Sequence, residues 1–267
     1  MLPPSLTDLA NKHGTDKGIT GPSEGWGAHN YTDIYQPYFE RLRTEPIALL
    51  EIGLGVTGER WPTKIAHGKN AQGGASLRTW YDYFPNARIY GADINAAPYL
   101  DNDRIKTFVV DQGSLDDWKT FEKAVDHLQF DVIIDDGSHR PDHQQVTMGF
   151  MFKMVKPGGL YIIEDLVDNG LGDSNLAEHG IHACGDVKNT RSVLKQFQTT
   201  GKFGEPNVIG DTAYLAEHID YMAFHAPQRV PMVQKTRLER IRARLLGKGL
   251  RFRWQMDSEK MCVMRKK

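Results

Sequence analysis

Two short runs of branched apolar residues, 130–134 and 159–163, each end in two adjacent carboxylates, and a histidine follows the first pair. These polar residues are Asp135, Asp136, His139, Glu164 and Asp165. Neither run alternates with polar residues, which is typical of a strand buried on both faces of a parallel sheet. Ligands bind at the carboxyl ends of such strands, and Mg²⁺ prefers oxygen ligands. The sequence therefore predicts a magnesium site there, with a histidine beside it.

Three earlier runs also read as strands that end in polar residues. They cover 47–52, 87–94 and 105–112, and their polar ends are Glu51, Asp93, Asp111 and Gln112. Any one of these acids could simply cap the helix that follows its strand, but five consecutive strands with the same feature make capping alone an inadequate explanation. The alternation of strands and helices predicts a parallel sheet with helices on both faces.

The first strand runs into Gly53-Leu-Gly55, a turn that allows a backbone to approach a ligand closely. In dinucleotide sites, an acid that binds the ribose follows about twenty residues later. Here Asp93 comes much further on, after residues 61–74, which we interpret as an inserted loop. This spacing argues against a plain nicotinamide site.

Composition limits the classes of function. Lys plus Arg number 33 and Asp plus Glu 34, so a net charge of −1 gives no general attraction to nucleic acid. The two cysteines, Cys184 and Cys262, are too far apart for a disulfide framework or a thiolate metal site, which favours a reducing compartment. The N-terminal residues do not resemble a signal peptide and no run reaches membrane-spanning length, so we expect a cytoplasmic protein.

The order of the motifs resembles that of class I S-adenosylmethionine-dependent methyltransferases. The resemblance is carried by Glu51-x-Gly53-x-Gly55, Gly91-Ala-Asp93, Asp111-Gln112, and the Lys-Pro-Gly-Gly segment at 156–159. A narrower set of segments, at 11–17, 29–32, 74–80, 134–139 and 163–166, is similar to the metal-dependent sugar O-methyltransferases that modify deoxysugars of macrolide and tetracenomycin-type antibiotics. Within this group, we expect the closest resemblance to be to the enzymes that methylate short mannosides for methylmannose polysaccharides. The match covers roughly residues 8–170.

This resemblance implies an α/β fold: a doubly wound, mostly parallel, seven-stranded Rossmann-like sheet with an N-terminal helical preface. It implies methyl transfer from S-adenosylmethionine to a sugar hydroxyl, with Mg²⁺ or Mn²⁺. The implied metal ligands are Asp136, Glu164 and Asp165, and His139 is the implied general base. The implied cofactor-binding residues are Glu51, Gly53, Ser76, Asp93, Asp111, Gln112 and Asp135. Among these, Asp93 would bind the ribose, and Asp111 and Gln112 would lie near the adenine.

The chemistry is consistent with these residue types. A sugar hydroxyl is a poor nucleophile at neutral pH, and a divalent cation chelated by two neighbouring hydroxyls makes it more acidic. A histidine with a pKa of about 6.5 can accept the proton, and in-line placement of the sulfonium methyl is mainly a matter of positioning. Carboxylate ligands suit Mg²⁺ or Mn²⁺ better than Zn²⁺.

We expect one domain over 1–267, composed of a helical cap (1–45), a lid loop over the acceptor (166–190) and a basic insertion (232–257). The insertion could be an amphipathic element that touches a membrane or an anionic ligand, but a solvated or dimer-packed helix is favoured. His143, His179 and His182 are expected to be surface or substrate-pocket residues. The last two strands, near 221–225 and 260–265, should form a closing pair with the last one antiparallel.

The expected partner is a sugar or oligosaccharide acceptor, with no nucleic acid and no transmembrane segment, and a homodimer is left open. Two other classes of function are also left open. One is a nicotinamide-dependent oxidoreductase that uses the Gly-x-Gly turn. The other is a non-catalytic protein that binds S-adenosylmethionine, which the intact acid and histidine set argues against.

Overall fold

The structure is a computed structural model that describes residues 3–20, 28–60, 72–166, 187–227 and 259–267. The basic insertion (232–257), residues 167–186 of the predicted lid, most of the predicted inserted loop, His179 and His182 lie outside the described residues. The single-domain organisation over 1–267 therefore stays a prediction.

Seven strands form one sheet in the order β3-β2-β1-β4-β5-β7-β6. The strands are β1 (Ala48–Ile52), β2 (Arg88–Asp93), β3 (Ile105–Val109), β4 (Phe130–Asp135), β5 (Val155–Ile163), β6 (Ile219–His225) and β7 (Met261–Lys266). The first five strands pair in parallel, and β7 is antiparallel to both of its neighbours, β5 and β6. The prediction of a mostly parallel seven-stranded sheet with an antiparallel last strand is confirmed.

Seven α-helices accompany the sheet in the described part of the chain. They are α1 (Leu6–His13), α2 (Thr32–Phe39), α3 (Ala75–Tyr83), α4 (Leu115–Ala124), α5 (Pro141–Met151), α6 (Thr190–Thr200) and α7 (Thr212–His218). Helix α4 ends at Ala124, and Asp126 and His127 adopt positive φ angles beyond it. None of the described helices combines the length and the apolar character that a membrane span would need.

The sheet separates two buried apolar layers. One layer joins the sheet to α4 and α5 through residues such as Trp118, Phe121 and Met148. The other contains Leu6 of α1, Tyr35 of α2 and Trp80 of α3. The N-terminal helices are therefore part of the core of one face, where the rings of Tyr35 and Phe39 stack 4.8 Å apart and both meet Trp80 edge-on.

The parallel register brings the predicted polar residues to one edge of the sheet. Ile52 of β1 lies opposite Asp135 of β4, which in turn lies opposite Ile163 of β5. The residues that follow these strands therefore meet in space: the Gly53 turn, Asp136, and Glu164 with Asp165. The backbone ties them together, because the amide of Asp136 donates to Ile52 and the amide of Glu164 donates to Asp135, both at 2.9 Å.

Gly53 gives a test of this close approach. Its φ is +86°, and a Cβ there would lie 2.0 Å from the carbonyl oxygen of Asp136. We expect Gly53→Ala to lower the free energy of unfolding by about 3–5 kcal/mol, since the backbone itself must move. Gly201 is the matched control: its φ is +71° and nothing lies near its Cβ position, so Gly201→Ala should cost only about 1 kcal/mol. Equal losses in chemical denaturation would contradict the steric account.

Candidate active site

Three side chains converge beyond the ends of β4 and β5. His139 Nε2 lies 3.1 Å from Asp136 Oδ1 and 3.8 Å from Asp165 Oδ2. One ligand atom from each of the three residues lies within 4.8 Å of the other two, a spacing that could hold a metal ion. The structure therefore brings together two of the three predicted metal ligands and the predicted base.

The backbone at this place is unusual. His139 has a φ of 59° and Asp165 a φ of 47°, so both adopt the left-handed region that residues other than glycine seldom occupy. Asn30, which lies two residues before Thr32 at the start of α2, has a φ of 53°. Backbone conformations of this kind cost energy and cluster at functional sites, where the surrounding structure imposes them.

Glu164, the third predicted metal ligand, lies behind this group and is 1% exposed. It accepts hydrogen bonds from the Tyr35 hydroxyl and, at 2.8 Å, from the ammonium of Lys17. The same ammonium donates to Asp136 and lies 3.5 Å from Glu51 Oε1. Lys17 is 2% exposed, so it is a fully internal cation at the predicted metal site. No sequence pattern assigns a role to Lys17.

Asp165 is also held by two residues that lie just before α2. The hydroxyl of Tyr31 donates to Asp165 Oδ1 at 2.5 Å, and His29 Nδ1 lies 3.7 Å from Asp165 Oδ2. Sequence reasoning also missed Tyr31 and Tyr35. The available signal was that Lys17, His29 and Tyr31 lie within the segments that carry the family resemblance, while Tyr35 follows Tyr31 by one helical turn.

The charges at the site shift each other's pKa values. Burial opposes ionisation of Asp136 and Asp165, but Lys17 and His139 lower the pKa of Asp136, and His29 and His139 lower that of Asp165. Burial alone would lower the pKa of His139, but the hydrogen bond to Asp136 and the charge of Asp165 outweigh it and raise the pKa to about 9. In this arrangement His139 is protonated at neutral pH.

Among the predicted cofactor residues, Glu51 and Ser76 lie together. Glu51 is 0% exposed and accepts hydrogen bonds from Trp80 Nε1, at 3.0 Å, and from Ser76. Its other oxygen has no hydrogen-bond partner. Burial raises the pKa of Glu51 to about 7, although Lys17 acts against the shift. Glu51 is thus an interior carboxylate between the first glycine turn and the metal acids.

Asp93 lies at the end of β2 and organises the glycine-rich turn after β1. Its carboxylate accepts hydrogen bonds from the amides of Leu54, at 2.9 Å, and Asn95, at 2.8 Å, and a longer one from Val56. The side chain is partly exposed, and burial raises its pKa despite these bonds. Asp93 therefore fixes the turn while remaining accessible at the edge of the sheet.

Gln112 connects the end of β3 to the turn after β4. Its Nε2 donates to Asp135 Oδ1 at 2.6 Å, and its Oε1 accepts from the amide of Ser138 at 2.8 Å. Asp135 is fully buried, which raises its pKa to about 7. Asp111 is partly exposed and accepts from the amide of Gly113 at 2.9 Å. All seven predicted cofactor residues thus lie at or next to the carboxyl edge of the sheet.

His143, expected at the surface or in a pocket, is partly exposed on the first turn of α5. Its Nδ1 lies 3.0 Å from the hydroxyl of Ser138. It does not belong to the Asp136–His139–Asp165 group.

Known proteins with similar sequences are O-methyltransferases. The chain is 41% identical over 166 residues to the 8-demethyl-8-(2-methoxy-alpha-L-rhamnosyl)-tetracenomycin-C 3'-O-methyltransferase of Streptomyces olivaceus. This alignment covers 61% of this chain and 37% of the relative. It is 37% identical over 221 residues to the demethylmacrocin O-methyltransferase of Streptomyces fradiae, an alignment that covers 81% of this chain and 51% of the relative. The chain thus spans between about a third and a half of the length of these relatives. No family model matches the chain.

A solved structure agrees with the architecture. MycE methyltransferase from the mycinamycin biosynthetic pathway, in complex with Mg, SAH and mycinamycin VI, aligns with a TM-score of 0.63 and 24% identity over 98% of this chain and 54% of that one. The fold is that of a class I methyltransferase. The resemblance found in the sequence is confirmed, since the homologues are macrolide and rhamnosyl sugar O-methyltransferases.

The raised pKa of His139 can be measured in the metal-free protein. Because it exceeds the ordinary value of 6.5, the charged imidazole stabilises the fold fully below pH 6.5, and this contribution is lost as the pH rises through about 9. Removing the charge of its hydrogen-bond partner with Asp136→Asn should lower the pKa of His139 in an NMR titration. Asp116→Asn, which removes an exposed carboxylate on α4, should leave it unchanged. A wild-type value near 6.5 would contradict the assigned geometry.

Proposed function

We propose that this protein is an S-adenosylmethionine- and Mg²⁺-dependent O-methyltransferase that acts on a sugar hydroxyl. The observation that carries the proposal is the Asp136–His139–Asp165 group at the ligand-binding edge of a methyltransferase fold. The named activities of the relatives support the same reaction.

The donor set fits a hard divalent cation. Asp136 Oδ1 and Asp165 Oδ2 are carboxylate oxygens on neighbouring strand ends, and the lowered pKa values of both acids keep them ionised. Oxygen donors of this kind suit Mg²⁺ or Mn²⁺. Glu164 is the third proposed ligand, on the inner side of Asp136. When bound, such a cation makes a chelated hydroxyl more acidic.

His139 is the proposed base. Its Nε2 is 3.1 Å from Asp136 Oδ1. It therefore lies beside the place where a sugar hydroxyl, held by a cation on Asp136 and Asp165, would lose its proton. A base must be unprotonated, and the charges of Asp136 and Asp165 hold its pKa at about 9. Offsetting those two charges would return the pKa toward its ordinary range, where Nε2 can accept a proton.

The remaining polar residues of the edge are proposed to hold the cofactor. Gly53 and Gly55 both have positive φ angles, which gives the turn after β1 its close approach to the edge of the sheet. Asp93 and Asp111 are partly exposed there and are proposed to face the ribose and the adenine. Gln112 fixes the turn that carries His139 through the amide of Ser138. Placement of the methyl group in line with the attacking oxygen is then a matter of these rigid contacts.

The acceptor is proposed to be a mannoside or a deoxysugar of a glycolipid, polysaccharide precursor or glycosylated natural product. The relatives named for rhamnosyl tetracenomycin and for demethylmacrocin support the natural-product member of this group. Cytoplasmic location, a homodimer, the absence of a nucleic-acid partner, the lid and the role of the basic insertion stay predictions.

A nicotinamide-dependent oxidoreductase is the second candidate, based on the Gly-x-Gly turn alone. Asp93, which would have to bind the ribose, follows the inserted residues 61–74 and so lies much further along the chain from the turn than the acid of a dinucleotide site does. Calorimetry with S-adenosylhomocysteine and with NAD separates the two candidates, and binding of NAD alone would favour the oxidoreductase.

Removal of divalent ions should abolish turnover. We expect methylation of mannosides, rhamnosides or glycosylated polyketides, measured as a mass gain of one methyl group, to stop in EDTA and to return with excess Mg²⁺ or Mn²⁺. The reason is that the acids alone do not make a sugar hydroxyl acidic. Full activity in the chelator would contradict the role of the metal.

Replacement of the base should separate chemistry from binding. We expect His139→Ala to lower kcat by about 10²–10⁴-fold, with the affinity for S-adenosylhomocysteine in calorimetry unchanged. His127→Ala is the control. His127 lies between α4 and β4, at the edge of the sheet opposite the site, and pairs with Glu122. A near-normal rate for His139→Ala would remove its proposed role.

A further inference from the structure

The ammonium of Lys17 occupies a position between the acids that are proposed to bind the metal. It donates to Asp136 Oδ2 and to Glu164 Oε2 and lies 3.5 Å from Glu51 Oε1. That last oxygen is buried and has no hydrogen-bond partner of its own. Lys17 therefore provides the positive charge that this inner cluster of three carboxylates shares.

Both carboxylate oxygens of Asp136 and both of Glu164 already have a partner. Asp136 uses Oδ2 for Lys17 and Oδ1 for His139. Glu164 uses Oε2 for Lys17 and Oε1 for Tyr35. A divalent ion bound by Asp136, Glu164 and Asp165 together would need oxygens that the ammonium now holds. Two cations at this distance also repel each other.

We propose that Lys17 is a built-in counter-ion that gives up Glu164 when a divalent ion binds. The proposal rests on the metal role in the proposed function. In the absence of the ion, the ammonium keeps the buried acids neutralised. In its presence, the metal takes over that charge, and the side chain of Lys17 moves away from Glu164.

The neighbouring backbone limits the exchange to the side chain. The carbonyl oxygen of Lys17 accepts a hydrogen bond from the amide of Thr32 at 3.0 Å, which fixes the loop to the start of α2. Tyr31 and Tyr35, from the same helix, keep their bonds to Asp165 and Glu164. The acids therefore stay oriented while one cation replaces the other.

Lys17→Met tests this exchange, because methionine keeps much of the length and removes the charge. We expect at least tenfold tighter Mn²⁺ binding than in the wild type, measured by electron paramagnetic resonance of free Mn²⁺. The metal-free variant should also melt lower and recover with Mg²⁺, since the ion supplies the missing charge. Lys12→Met is the matched control: Lys12 is an exposed lysine paired with Asp82, and its loss should change neither quantity. Unchanged or weaker Mn²⁺ binding by Lys17→Met would overturn the proposal.

A second measurement uses the wild-type protein and covers the case in which Lys17→Met does not fold. A crystal structure with Mn²⁺, located by its anomalous scattering, should show Lys17 Nζ beyond hydrogen-bond distance from Glu164. An ion bound at the acids with that contact intact would refute the exchange and leave the metal role standing. No Mn²⁺ binding by the wild type in the resonance titration would refute the metal role and the exchange together.

Discussion

The candidate site depends on the charge of one buried ammonium. Glu51, Asp136 and Glu164 come from three adjacent strand ends, and carboxylates this close cannot all ionise in a dry interior without a cation. Lys17 supplies this cation. Burial alone would lower the pKa of Lys17, but the three carboxylates outweigh burial and raise it. Removing one partner of a buried ion pair leaves an uncompensated charge. The position of the N-terminal segment is therefore linked to the geometry of the acids.

Residues of the N-terminal segment, in α2 and in the chain before it, orient all three proposed metal ligands. Lys17 holds Asp136, and the hydroxyls of Tyr31 and Tyr35 donate to Asp165 and Glu164 respectively. Tyr31 and Tyr35 are one turn apart, so both hydroxyls project from the same face of the helix. Burial and the neighbouring carboxylates raise their pKa values, which keeps both as donors. The packing of α1 and α2 against α3 thus serves the site as well as the core.

Much of the fold could be predicted because local sequence patterns determine its strands and helices. The apolar runs predicted the strands of the sheet, which lie within a few residues of those positions in the structure. Lys17 could not be found this way, since it is 119 residues from Asp136 and 147 from Glu164 in the chain, and only tertiary packing brings them together. Consecutive residues at a strand end point to opposite sides, which separates Asp135 from Asp136. Asp135 accordingly contacts Gln112 and Asp136 contacts Lys17.

Burial and the neighbouring cations divide the acids into two electrostatic classes. Glu51 and Asp135 are fully buried, and burial raises the pKa of each to about 7, so neither adds a full negative charge at neutral pH. Burial and the charge of Asp136 also raise the pKa of Glu164 well above its usual range. Asp136 and Asp165 point toward His139, and the nearby cations lower their pKa values, so both stay ionised. Negative charge is therefore concentrated on Asp136 and Asp165, the two acids beside His139. A sheet edge this rich in acids can in this way fold without a metal and still offer an anionic site for one.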